Sequence, residues 1–124
     1  SMTGFLPLDR VKGLQQEAAI IGCPSIWEEP LGKTGLEALA AGSALLTTRR
    51  GGIPEVAAGR AHIVDEPSPE AFAAALRKLI DDDEYRAGLQ QIAWDDFPFT
   101  ATAMASVADR IRIDAIKRSY KAGK

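Results

Sequence analysis

The chain is poor in reactive and metal-binding side chains, with one cysteine and one histidine among 124 residues. With Cys23 alone an internal disulfide framework is excluded, and a small buried thiol fits a reducing compartment, so a cytoplasmic location is expected. His62 stands between apolar neighbours in a short predicted strand, where a packing role outweighs a catalytic one. Neither charge is in great excess, and a formal net charge of −2 argues against a protein whose main business is nucleic acid. No apolar run approaches the about 18 residues of a membrane span, and no signal-peptide pattern is present. At 46% hydrophobic content the chain has enough material for one core, but 124 residues do not make two full Rossmann halves.

What the chain does have is an ordered phrase from Pro24 to Glu55. It reads as a strand end, an acidic turn, a glycine-bearing helix start, a helix, a second strand and a Gly-Gly loop. In an α/β sheet that order sets polar loops at the carboxyl ends of parallel strands, where open doubly wound folds bind ligands. Pro30 biases Glu29 to extended backbone and suits a helix entrance. Gly32 and Gly35 carry no Cβ and permit close approach to the main chain. A helix starting near Gly32 exposes unpaired N–H groups and a positive dipole end, a site for a phosphate or hydroxylated anion. Lys33 and Thr34 add a cation and a hydroxyl. Glu29 and Glu37, with seven residues between them, flank one extended ligand, and carboxylates accept well from vicinal diols. Phosphate and diol sites together suggest a sugar nucleotide. Gly-Lys-Thr at 32–34 imitates the end of a P-loop, but that motif needs glycine where Trp27 stands. A pair of surface glutamates is otherwise an ordinary solvated helix face.

At these residues the chain resembles the retaining glycosyltransferases of the GT-B class, family four in particular, with glycogen and starch synthases more distant. The carriers are Pro24-Ser25, Glu29-Pro30-Leu31-Gly32, Leu36-Glu37-Ala38, Ala40 and Gly42, then Gly51-Gly52 and Glu55. The resemblance implies that Glu29 is the catalytic-site carboxylate contacting hydroxyls of the donor hexose. It further implies that main-chain amides of Leu31, Gly32 and Lys33 meet the donor sugar and distal phosphate. Thr34 would lie beside the diphosphate, and Glu37 would hold the ribose diol. Ser43-Ala44 departs from the family, which usually carries a residue and then proline there.

Elsewhere the pattern is read locally. Ser1-Met2 reads as a cloning remnant, expected to stand outside the fold. Thr3 to Leu6 suggests a short strand, and Leu8, Val11 and Leu14 a short amphipathic helix over 8–17. Apolar runs at Ala18–Cys23, Ala44–Thr48 and Ala61–Val64 predict buried parallel strands. A helix is expected over Leu36–Ala41 and a short one over Ile53–Ala58. Ser68 is a good N-cap and Pro69 a good first residue for a helix whose stripe is Phe72, Leu76, Leu79 and Ile80. Asp81-Asp82-Asp83 invites a metal reading but lacks a ligand loop and fits a helix end or new N-cap. Tyr85, Leu89 and Ile92 mark another helix, and Trp94, Phe97 and Phe99 anchor the segment after it. From Thr100 to about Tyr120 a helix carries two stripes, Met104-Val107-Ile111 and Ile113-Ile116-Tyr120, and a basic end including Lys121 and Lys124 that reads as a solvated face complementing its own dipole, with membrane-surface or nucleic-acid contact the lesser alternative. Arg49 and Arg50 meet a diphosphate or are solvated, and Glu55 binds ligand or favours its helix dipole.

The expected fold is α/β, a small parallel sheet with helices on both faces. Residues 3–98 would form a Rossmann-like nucleotide-sugar-binding domain, incomplete at its N-terminal side. Residues 99–124 would be the helix that in the family crosses to the other domain. The resemblance implies retaining transfer of a hexose from a nucleoside diphosphate sugar to an acceptor hydroxyl, with no cofactor and no required metal. Acceptor binding and further diphosphate cations would come from parts outside this chain, so the chain alone should be inactive. The expected partners are the donor, an N-terminal domain of the parent and a second copy of the chain at an open sheet edge. A non-catalytic nucleotide- or carbohydrate-binding module of the same fold is the alternative.

Overall fold

The structure, a computed structural model, describes residues 2–95 and 97–122; Ser1 and Lys124 lie outside them. Three parallel strands form one sheet in the order β1 (Ile20–Cys23), β2 (Ala44–Thr48) and β3 (Ala61–Val64). Ile20 is opposite Ala44 and Cys23 opposite Thr47, while Leu45 is opposite Ala61 and Thr48 opposite Val64. The helices are α1 (Leu8–Glu17), α2 (Lys33–Ala40), α3 (Ile53–Ala57), α4 (Pro69–Asp81), α5 (Asp83–Asp95) and α6 (Ala101–Ala122).

The sheet has helices on both faces because alternate strand residues point to opposite sides. Leu45 joins Leu39 of α2 and Ile53, Val56 and Ala57 of α3 on one side. Ala44 and Leu46 join Ala75 and Leu79 of α4 and Leu89 of α5 on the other. All five residues of β2 are buried, as a central parallel strand covered on both faces requires. Its buried hydroxyls are all satisfied. Thr47 donates to the Cys23 carbonyl at 3.1 Å, Thr48 to that of Ser25 at 2.5 Å, and Ser43, just before the strand, to those of Gln15 and Ala18. Ser43, which departs from the family phrase, thereby ties the end of α1 to the sheet.

Several local readings match closely. Ser68 caps α4 by accepting the Ala71 amide at 3.1 Å, and the aspartate run divides α4 from α5, with Asp82 accepting the Tyr85 amide at 2.9 Å. Others do not. Residues 3–6 form no strand, and β1 begins at Ile20 rather than Ala18. Helix α1 forms where its periodicity places it but buries no residue. Ile80 and Trp94 are exposed, so neither belongs to the core, whereas Phe97 and Phe99 pack edge-on to one another and against it. Both stripes of α6 are exposed along its length. Apolar periodicity reports that a helix face wants a partner, and these faces find none among the described residues. No described helix is long and apolar enough to cross a membrane.

His62 is a packing residue. Its Nδ1 lies 3.0 Å from the Tyr85 hydroxyl, the rings meet edge-on, and the Lys78 ammonium sits over the Tyr85 ring. Burial, and then the nearby Lys78 charge, hold the imidazole pKa below its ordinary 6.5. On acidification the unfolded chain therefore takes up this proton first. The contribution is complete above pH 6.5 and is lost as pH falls from there through the folded-state pKa. Thermal melts from pH 8 down to pH 5 should show His62→Asn losing less stability than the parent; parallel curves would contradict this account.

Candidate functional site

The carboxyl ends of β1 and β2 open into a cavity of about 490 Å³. Cys23 and Thr47 lie at its base, Ser25, Trp27 and Glu29 on one wall, and Gly32, Lys33 and Thr34 on another. Ile53 and Val56 of α3 close the apolar side. A separate cavity of about 350 Å³ on the opposite sheet face is lined by Pro24, Ile26, Pro67, Phe72 and Leu76 and has no titratable wall.

The polar wall is held by backbone packed on backbone. The Gly52 amide donates to the Glu29 carbonyl at 2.7 Å, and the Gly51 amide to Glu28 Oε2 at 2.5 Å. A Cβ at Gly51 would fall 2.1 Å from the Glu29 carbonyl oxygen, and one at Gly52 2.4 Å from that of Pro30. Only glycine lets the loop touch the turn. Glu28, which the sequence reading passed over, clamps the turn. Its one legible signal is an acceptor beside a Gly-Gly pair distant in sequence.

Gly32 starts α2 in the left-handed region, at φ 75°, and a Cβ there would meet Ile53 at 2.8 Å. Its carbonyl accepts the Gly35 and Leu36 amides, but among the described residues no side chain caps the helix, and the Lys33 and Thr34 amides have no backbone acceptor. An uncapped N-terminus at a cavity is an anion site in waiting. Gly35 is buried, with room for contact to Leu45, so it serves helix–sheet packing as well as the cavity. Leu31 is exposed just outside.

The two carboxylates of the motif are placed differently. Glu29 is half-buried on the cavity wall, and its Oε1 accepts from Trp27 Nε1 at 3.0 Å and from Ser25 Oγ at 3.3 Å. Glu37 lies a turn into α2, faces Lys33 at 3.6 Å, and borders a shallow groove with Lys12, Gln15 and Gln16 instead. Arg49 is engaged with Asp65 on the β3 side and does not line the cavity, nor does Glu55, which is exposed in the first turn of α3. Burial, and then Glu29, push the Cys23 thiol up to about 11, so it stays protonated and unreactive near neutral pH.

Residues 1–94 match the model of the family described as glycosyl transferases group 1. The chain belongs to that family. It is 36% identical over 102 residues to the D-inositol 3-phosphate glycosyltransferase of Corynebacterium glutamicum (strain R), covering 78% of this chain and 24% of that protein. It is also 36% identical over 80 residues to the alpha-maltose-1-phosphate synthase of Mycolicibacterium smegmatis, covering 61% of this chain and 20% of the relative. The chain thus spans about a quarter or less of these relatives' length. Among solved structures, sucrose-phosphate synthase from Thermosynechococcus elongatus superposes with a TM-score of 0.71 at 19% identity, over 94% of this chain and 30% of that one. Anabaena Alr3699/HepE in complex with UDP superposes at 0.64 and 19%, over 80% of this chain and 29% of that one. The three-stranded sheet is part of a GT-B glycosyltransferase fold.

If the turn depends on glycine for contact rather than for flexibility, Gly51→Ala should cost more than Gly59→Ala. Gly59 also has positive φ, but a Cβ there meets nothing. Urea unfolding should show a loss of about 1–2 kcal/mol at Gly59, the cost of a left-handed side chain. A clearly larger loss is expected at Gly51, and equal losses would refute the packing argument.

Proposed function

We propose that this chain is the donor-binding half of a retaining glycosyltransferase that transfers a hexose from a nucleoside diphosphate sugar to an acceptor hydroxyl. The observation that carries this reading is the uncapped N-terminus of α2 opening into the same cavity as the Glu29 carboxylate. The UDP in the structure of HepE supports it, as that protein shares the fold.

In this reading the diphosphate sits at the Gly32–Thr34 turn, where the amides and helix dipole meet the charge that develops as the glycosidic bond breaks. Lys33 and Thr34 add a cation and a hydroxyl, so no metal or cofactor is required. Glu29 contacts hexose hydroxyls and acts at the reacting sugar. Leu31 contributes its amide at the mouth. Glu37, outside the cavity, takes the ribose diol along the outer face of α2, and Lys33 leaves it to meet phosphate. The acceptor is bound by a second, N-terminal domain of a cytoplasmic parent, so this chain alone transfers no sugar, since positioning accounts for many powers of ten in rate.

Titration of the labelled chain with UDP and UDP-glucose should move the amides of Leu31 to Gly35 with millimolar affinity, about −4 kcal/mol. Unmoved amides with a response elsewhere would overturn the site. In the full-length parent, Glu29→Ala and Glu37→Ala should both lower transfer, and sugar transfer by the 124-residue chain itself would refute the two-domain reading.

The same reading gives the chain an open edge. Among the described residues strand β1 pairs only with β2, and edge N–H and C=O groups are a template for another chain. The uncovered stripes of α6 add apolar area of the kind that marks association. The chain should therefore form a symmetric homodimer or a larger oligomer through β1 or α6. Light scattering over a concentration series checks this, and a monomer throughout the high micromolar range would count against it.

A further inference from the structure

Trp27 is placed unlike a core tryptophan. The residue is 59% exposed, it lines the cavity beside Glu29, and the one polar atom of its side chain donates to Glu29 Oε1. Exposed Ile26 and Leu31 flank the same turn, so no apolar packing explains an indole at this point. The backbone beneath is already fixed by the Gly51–Gly52 contacts. What the indole adds is the orientation of a carboxylate. Both hydrogen bonds to Glu29 fall on Oε1, and Oε2 accepts none from the described residues. One oxygen is thus anchored while the other is left for a ligand.

We infer that Trp27 is a positioning and specificity residue for the donor hexose, its N–H fixing the Glu29 carboxylate and its ring forming the wall beside the sugar. The inference rests on the reading of the cavity as a sugar-nucleotide site and assigns the part of the ligand that Trp27 reads. A carboxylate already held in one rotamer loses less freedom when a sugar hydroxyl reaches its second oxygen. An indole offers a broad apolar face to the C–H face of a hexose while its N–H stays bonded. Neither effect touches the diphosphate, which lies at the start of α2. Trp27 should therefore act on the sugar increment of binding and not on nucleotide affinity.

The test uses the 124-residue chain titrated with UDP, UDP-glucose, GDP and GDP-mannose, comparing each sugar nucleotide with its own diphosphate. Trp27→Phe keeps a ring and removes the N–H. It should reduce the preferred donor's advantage over its diphosphate about fivefold, the net worth of one ordinary hydrogen bond. Diphosphate affinity should stay within about twofold. Trp27→Ala should remove what remains of the advantage. Without ligand, the Trp27 indole N–H resonance should move in Glu29→Gln while that of Trp94 does not, a reading that needs no folded Trp27 variant. An undiminished donor advantage in Trp27→Phe, or an unmoved indole resonance, overturns the inference. A parent chain that binds diphosphates at Leu31–Gly35 yet shows no sugar advantage overturns it as well, with the nucleotide site intact. Silence of those amides toward every probe overturns the cavity reading and this inference together.

Discussion

The contact between the acidic turn and the Gly51–Gly52 loop is the constraint on which the site depends. Two segments more than twenty residues apart meet backbone against backbone, joined by the Gly52 amide on the Glu29 carbonyl and clamped by the Glu28 carboxylate on the Gly51 amide. The loop sets where the turn can lie, and the turn sets where α2 begins. Gly32 then has to enter a left-handed conformation against Ile53, the first residue of α3. Because α3 follows the Gly-Gly loop directly, one close approach locates the cavity's apolar side, its acidic wall and its helix N-terminus together.

Strand β2 carries that geometry into the core. Its leucines divide between the two faces, and its threonine hydroxyls bind carbonyls at and beyond the end of β1. A buried hydroxyl without a partner would be costly, so each bond fixes the neighbouring backbone as well as satisfying itself. The chain leaving β1 toward Ser25 is thereby held, and Ser25 in turn donates to Glu29. Packing of the central strand is connected to the orientation of the carboxylate through a short series of hydrogen bonds.

What could be read from the sequence follows the range of the interactions involved. The Ser68 cap and the aspartate break between α4 and α5 depend on neighbours a few residues away, and strands β2 and β3 show in their own apolar runs although their pairing partners are distant, so all are legible. The phrase from Pro24 to Glu55 disclosed the uncapped start of α2 and the place of Glu29. It did not disclose that Glu37 would border a different groove, since the period of a helix fixes a residue's turn but not what stands opposite it. Glu28 and Ser43 were missed because their partners are 23 to 28 residues away. The stripes of α1 and α6 are apolar faces in sequence and in structure, but periodicity does not place a partner on them.

The arrangement of Lys33 also bears on how the site would accept an anion. Its pairing with Glu37 is an i, i+4 contact at 3.6 Å, and the lysine side chain is 83% exposed. Pairs of that kind contribute little, about 0.3–0.5 kcal/mol, because solvent screens them and two long side chains must be held. A diphosphate at the α2 start would offer Lys33 a stronger, charge-assisted partner together with the amides beside it. Release of Lys33 would uncover Glu37 at the same moment, so a phosphate and a diol on one ligand would each favour the arrangement that suits the other. A ligand with only one of those groups would meet half of that arrangement, a physical reason for the two carboxylates and the lysine to share one turn and helix.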